Sequence, residues 1–145
     1  MKMKTKRKIT HILVLVAFAI IVFIWAIFMF WYIYPYKTTI INEQPYIVSK
    51  KIIKQGEQLE YKIDACNYTD IIPKVTKQFV DGIVYSVPES AIKLPKGCHK
   101  TIVSVKVPKN LPPGDYKLKV FVSYQVNPIR TINSEYETEK FSVIK

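Results

Sequence analysis

Glycine, arginine, histidine and cysteine are all scarce in this chain of 145 residues. It has four glycines, two histidines and two cysteines, and its arginines are Arg7 and Arg130. Four glycines are too few for a Gly-rich phosphate loop. A catalytic triad needs a histidine, and after residue 11 the sequence has only His99. Nucleophile-elbow, zinc-protease and calcium-loop motifs are absent from the sequence. We therefore predict that the protein is not an enzyme and carries no cofactor.

The shortage of arginine also bears on nucleic acids, because arginine reads guanine edges and clamps phosphates. The net charge is +11, from 22 basic and 11 acidic residues. Five of the basic residues precede the apolar segment, which leaves 17 basic against 11 acidic residues in the remainder. Those five are Lys2, Lys4, Lys6, Arg7 and Lys8. The rest of the chain is only moderately basic, and the sequence predicts no nucleic-acid partner.

One long apolar run is present near the N-terminus. No residue from Ile9 to Tyr36 carries a formal charge, and Ile12–Phe30 has only apolar side chains. About 20 such residues in a helix cross the hydrocarbon core of a bilayer. Aromatic residues suited to the headgroup layer follow (Trp31, Tyr32, Tyr34 and Tyr36), and Pro35 ends the helix because it has no amide donor. The run predicts a transmembrane helix over 9–36, with the lipid bilayer as its partner.

Two other interpretations of this run are a cleaved secretory signal and the core helix of a soluble protein. Ala17-Phe18-Ala19 matches a cleavage pattern, but the apolar run continues well past it and no polar region precedes it. A helix apolar on every side would need a large protein around it, which about a hundred residues cannot form. An uncleaved signal anchor is the favoured interpretation.

The basic residues before Ile9 place the N-terminus in the cytoplasm by the positive-inside rule. The predicted layout is a basic cytoplasmic tail over 1–8, the transmembrane helix over 9–36, a linker over 37–45 and an extracytoplasmic domain over 46–145. The domain then faces the periplasm or the cell surface.

Period-two alternation dominates the predicted domain, as in strands with one buried face. It is clearest over Asp115–Val126, Thr101–Val107 and Leu59–Ala65. Further strands are expected at Tyr46–Ile53, at Val75–Val87 with a bulge at Gly82, and at Ser134–Ile144 with a phase shift near Glu139. Turn residues fall between these runs, at Gln55-Gly56, Pro95–Gly97, Leu111–Gly114 and Val126–Pro128. The pattern predicts an all-β, two-sheet antiparallel sandwich.

The segment Leu111–Tyr116, with Gly114 two residues before Tyr116, resembles the tyrosine corner of immunoglobulin-like and fibronectin type III sandwiches. The resemblance implies that the Tyr116 hydroxyl bonds to backbone a few residues upstream. The chain departs from the family in having both tryptophans in the apolar run. The overall pattern is also similar to small β-sandwich proteins encoded by bacteriophages and prophages.

Cys66 and Cys98 are an even pair in a predicted extracytoplasmic domain, which favours a disulfide. Both lie on the outward parity of their strands, so the sulfurs would meet on the outside of one sheet if these are strands B and E. The alternative is a copper or zinc site formed by Cys66, Cys98 and His99.

Asn67-Tyr68-Thr69 matches a glycosylation acceptor, or else a turn after strand B.

The loop Asn127–Asn133 contains Asn127, Pro128, Ile129 and Arg130 and is a candidate contact loop, since sandwich loops carry recognition; the alternative is a plain connection between strands. The sequence thus predicts a non-catalytic interaction or assembly module of the cell envelope, with an envelope or virion protein as partner. One form of this hypothesis is that the protein is encoded by a phage. The alternative function is a copper chaperone for an envelope oxidase.

Overall fold

A computed structural model describes residues 2–92 and 94–145, with the backbone alone for residues 2–10. These described residues form one helix, α1 (Lys2–Ile33), and ten strands. The strands are β1 (Thr39–Ile41), β2 (Tyr46–Ile47), β3 (Ile52–Lys54), β4 (Gln58–Asn67), β5 (Lys74–Asp81), β6 (Ile83–Ala91), β7 (Gly97–Lys106), β8 (Gly114–Asn127), β9 (Arg130–Glu137) and β10 (Phe141–Ile144).

The helix is apolar on all sides where its side chains are described. Its segment His11–Ile33, of 23 residues, is long and apolar enough to cross a membrane. The helix ends at Ile33, two residues before Pro35. A proline disfavours helical backbone in the residue that precedes it, which accounts for the stop just ahead of the ring.

The strands form two sheets. In the first sheet, β4 lies between β7 on one side and the short strands β1 and β2 on the other. The second sheet has the order β3-β10-β8-β5-β6, and β9 also pairs with β8. With β4 as strand B, β7 is strand E, and β5, β8 and β10 are strands C, F and G. This is an immunoglobulin-like sandwich. The registered pairs are antiparallel except β3 with β10, which is parallel.

The core lies between the sheets and is built by the inward parity of the long strands. Strand β8 alternates buried and less buried residues from Tyr116 to Phe121, as its sequence predicts, and Tyr124 of the same parity is buried too. The completely buried side chains include Leu59 and Tyr61 of β4, Phe79 of β5, Leu118 and Val120 of β8, and Leu111 from the turn before β8.

Several expected strand boundaries were wrong. The run Val75–Val87 is a hairpin of β5 and β6, and Gly82, with φ of 67°, lies at its turn and is not a bulge. The expected strand Tyr46–Ile53 is split between the two sheets, since β2 pairs with β4 and β3 pairs with β10. The expected run Ser134–Ile144 is broken into β9 and β10 by residues 138–140.

The expected linker over 37–45 also differs from the structure, because it contains β1. Thr39 and Ile41 of this strand pair with Asn67 and Ala65. The chain forms two compact units, and the sandwich unit begins at Tyr36, comprising Tyr36–Val126 and Thr131–Lys145. The other unit contains the helix up to Pro35 together with Asn127–Arg130.

Candidate functional site: an interior cleft and two free sheet edges

Cys66 and Cys98 form a disulfide within one sheet. They are register partners on β4 and β7, with their Cα atoms 3.9 Å apart. Cys66 is buried and Cys98 is exposed. The bridge therefore connects strand B to strand E within one sheet and does not join the two sheets. The outward parity of both residues had predicted this arrangement.

The disulfide removes both thiolates from the alternative metal site. His99, its third expected ligand, has its Nε2 2.8 Å from the carbonyl oxygen of Lys96. Among residues 2–92 and 94–145, no group of three or more histidine, cysteine, aspartate or glutamate side chains is placed to hold a metal ion. The geometry gives the copper-chaperone alternative no support.

Tyr116 makes the contact that the tyrosine-corner resemblance implies. Its hydroxyl donates a hydrogen bond of 2.8 Å to the carbonyl oxygen of Pro112. The Tyr116 ring packs edge-on against Tyr85, with the centroids 6.2 Å apart. A Cβ on Gly114 would lie 3.1 Å from an Asp81 carboxylate oxygen and 3.4 Å from the Tyr116 ring. Gly114 thus leaves room for the ring, and the motif is structural.

The candidate contact loop Asn127–Arg130 contacts the end of the helix. The Asn127 amide donates to the carbonyl oxygen of Trp31 at 2.9 Å. The Arg130 guanidinium donates to the carbonyl oxygens of Tyr32 and Tyr34 at 2.8 and 2.7 Å. The last carbonyls of a helix have no partner within it, and a cation at that end is favourable. Asn127 and Arg130 therefore act as a C-cap supplied from a distant turn, whose tip is Pro128 and Ile129.

Asn67 is buried and tied into the sandwich. It is 5% exposed. Its side-chain amide donates to the carbonyl oxygen of Leu94 at 2.8 Å, and its oxygen accepts from Thr39 Oγ1 and from the Thr69 backbone amide. The contact with Thr69 is the turn expected after strand B. A side chain engaged in this way closes the turn and is not presented as a glycan acceptor.

A cleft between the sheets is a feature that sequence reasoning missed. It encloses about 480 Å³ of empty space that includes open solvent, around a cavity of about 40 Å³. Its walls are almost entirely apolar, and come from both sheets and from the connections between β4 and β5 and between β6 and β7. The lining residues are Thr39, Ile41, Tyr61, Ile63, Pro73, Val75, Lys77, Ile92, Leu94, Val103, Val122, Tyr124, Ser134 and Tyr136.

The tyrosine hydroxyls that face this cleft have partners. Tyr61 and Tyr136 share a hydrogen bond of 3.2 Å, and the Tyr124 hydroxyl hydrogen-bonds to Thr39. Burial, reinforced by Tyr136, raises the pKa of Tyr61 well above its ordinary value. Burial likewise raises the pKa of Tyr124 and of Tyr136. These groups are neutral hydroxyls over the physiological pH range.

Lys77 differs from these tyrosines because its side chain is charged in water and has no hydrogen-bond or ion-pair partner among the described residues. It lies between Val75 and Phe79 on the inward parity of β5 and is 8% exposed. Within the described residues, its ammonium group makes no ion pair or hydrogen bond. Burial lowers the pKa of the Lys77 ammonium. The position of Lys77 on the buried face could have been predicted, since Val75, Lys77 and Phe79 alternate with Thr76 and Gln78. A lysine was not expected on that face.

Among the long strands that leave one edge unpaired in the described part of the chain are β6, β7 and β9. The edge of β6 is interrupted, because Lys77 pairs with Val87 whereas Val75 pairs with Ser90. Pro88 lies in the resulting bulge, and prolines and bulges are common protections of sheet edges. By contrast β7 contains no proline, and its pairing with β4 is regular over all ten residues.

No protein-family model matches the chain, and no curated protein matches it either. A solved structure to which it is similar is the CARDB domain of the PF1109 protein from Pyrococcus furiosus, crystallised in complex with di-metal ions. The two are 15% identical, the match covers 76% of this chain and 95% of that one, and the TM-score is 0.38. The fold of this chain is assigned from its own strand order and register.

Proposed function

We propose that the chain is a single-pass membrane protein whose immunoglobulin-like sandwich faces the outside of the membrane and acts as a non-catalytic interaction module of the cell envelope. The observation that carries the proposal is the regular, unpaired edge of β7 in the described residues. An extended segment of a partner can add to such an edge as a further strand, with backbone hydrogen bonds giving affinity and alternate side chains giving specificity.

The membrane anchor is supported by helix length, composition and flanking charge. The apolar segment His11–Ile33 has the length of a bilayer span. The five basic residues before Ile9 favour a cytoplasmic N-terminus. A disulfide within the sandwich suits an oxidising compartment outside the cytoplasm.

The chemistry of the β7 edge indicates the kind of partner. Lys100 and Lys106 stand on its outward face, as does Ile102, which is 56% exposed. Lys100 pairs with Asp64 of β4 at 3.4 Å, and no ion pair is found for Lys106 among the described residues. Lysines on an edge oppose pairing between identical copies. They also favour a partner segment that carries acidic side chains beside an apolar one. An envelope or virion-assembly protein is the proposed partner class, in keeping with the similarity of the pattern to small phage and prophage sandwich proteins.

The test is photo-cross-linking in intact cells. A photoreactive amino acid replaces Ile102 on the β7 edge, and the matched control replaces Ile83, an isoleucine of similar exposure (64%) on the bulged β6 strand. We expect a discrete protein adduct from position 102 and a much weaker one from position 83. Adducts only to lipid or to a second copy, or equal adducts at both positions, would overturn the proposed binding edge.

A further inference from the structure

We propose that the cleft between the sheets is a binding site for a narrow apolar molecule with one anionic group, of the fatty-acid class, whose carboxylate pairs with Lys77. The proposal goes beyond the interaction role of the β7 edge. It rests on three features of the sandwich unit: an apolar cleft, a buried lysine that lines it, and the lack of any counter-charge for that lysine among the described residues.

The buried lysine points to an anion. An ammonium with little access to water loses favourable solvation, and proteins normally compensate a buried charge with an opposite charge or hydrogen bonds. Lys77 is 8% exposed and has no such compensation in the described chain. The other polar groups that line the cleft are neutral hydroxyls; those of Tyr61 and Tyr136 are bonded to each other, and that of Tyr124 is bonded to Thr39. A carboxylate brought by a ligand would supply the missing charge.

The remaining walls point to an apolar body. Apart from these few groups the lining is isoleucine, leucine, valine and proline, for example Ile63, Leu94 and Val122. Such walls gain free energy by contact with an alkyl chain, which removes apolar surface from water on both sides.

The dimensions of the cleft restrict the shape of the ligand. A cavity of about 40 Å³ has room for about three water molecules, since each needs about 10–15 Å³ by the same measure. An alkyl chain needs more space than this, so most of the ligand lies in the wider cleft, which opens to solvent. A single unbranched chain that enters from the open side fits this form better than a fused-ring molecule, which would have to separate the sheets.

The experiment uses the full chain in nanodiscs of zwitterionic lipid, titrated with decanoate carrying ¹³C at the carboxyl carbon. We expect a saturable bound-carboxylate signal of one per chain. Replacing Lys77 by methionine keeps the apolar stem and removes the charge, so K77M should weaken decanoate binding by at least about tenfold. The control K74M, at an exposed lysine of the same strand, should leave it unchanged.

A neutral ligand tests whether the K77M cleft is intact. Decanol labelled at its first carbon should bind the native chain more weakly than decanoate does, and should bind K77M and the native chain equally. The proposal is overturned by an unsaturable decanoate signal, by equal decanoate affinity in K77M and the native chain, or by decanol binding the native chain as tightly as decanoate.

Discussion

Cys66 on β4 and Cys98 on β7 face each other directly across the ladder of one sheet and are joined by a disulfide. Their sequence separation of 32 residues encloses β5 and β6, so the bridge fixes strand E beside strand B while the intervening hairpin belongs to the other sheet. The disulfide thus closes a chain loop whose two ends lie in one sheet and whose middle part belongs to the other.

Removing this bridge should destabilise the sandwich strongly. In the chain-entropy treatment, a closed loop of this length is worth about 3–4 kcal/mol. We expect the double variant C66A/C98A to lose that much free energy of unfolding in denaturant titrations of the full chain in micelles. The native chain under reducing conditions is the matched comparison. A loss below about 1 kcal/mol in the double variant would contradict the assigned role.

The hydroxyl of Tyr116 should contribute a smaller, local term. Y116F keeps the ring and removes the hydrogen bond to the Pro112 carbonyl, so the expected loss is about 0.5–1.5 kcal/mol. Y85F is the control, since the Tyr85 hydroxyl has no hydrogen bond within the described residues. Equal unfolding midpoints for Y116F and the native chain would show that the corner contact adds nothing to stability.

Lys77 should make the sandwich more stable as pH rises. Its folded pKa is lowered by burial, so between that value and the ordinary value near 10.5 the unfolded chain binds more protons than the folded chain. Unfolding free energy therefore increases with pH across this window. Above pH about 10 the raised pKa values of Tyr61, Tyr124 and Tyr136 act in the opposite direction, because the unfolded tyrosines lose protons first.

The K77M variant isolates this effect. Removing an unpaired buried charge should raise the unfolding free energy at pH 7 by about 1–3 kcal/mol and flatten its increase toward pH 10. K74M should change neither quantity. A K77M chain that is less stable than the native one, with an unchanged pH slope, would show that the lysine is stabilised where it lies.

Arg130 should hold the end of the helix. R130M removes the hydrogen bonds that the Arg130 guanidinium donates to the Tyr32 and Tyr34 carbonyls, and it removes a cation from the helix C-terminus. The amide of Tyr34, which donates to Phe30, should then exchange with solvent about two- to fivefold faster, matching about 0.3–1 kcal/mol. K37M is the control for loss of a nearby positive charge. Identical exchange in R130M and K37M would argue against the cap.

The long strands could be predicted from sequence because their alternation is sustained. In β8, Tyr116, Leu118, Val120 and Tyr124 share one parity over enough residues to exclude a helix. The same parity placed Cys66 and Cys98 on one side of their sheet. Strands of two or three residues such as β1 and β2 have too few alternations to detect, and they depend on pairing with β4 that is distant in sequence.

The cleft and the helix cap could not be predicted, for a related physical reason. The cleft and the cap each form from segments that are distant in sequence. Arg130 hydrogen-bonds to the end of α1 across about a hundred residues of chain, and Lys77 lines the cleft together with residues of both sheets. Gly82 was misassigned because a glycine inside an apolar run is consistent with either a bulge or a tight turn. Its φ of 67° at the turn between β5 and β6 decides the matter.

The most direct measurement concerns which side of the membrane each end of the chain occupies. Because both native cysteines are bonded to each other, a single introduced cysteine reports its own location to a membrane-impermeant maleimide. We predict that K54C, at an exposed site of β3, is labelled in sealed right-side-out cells, and that K4C is labelled only after permeabilisation. Labelling of K54C only after permeabilisation, or of K4C in sealed cells, would contradict the account of a tethered external sandwich.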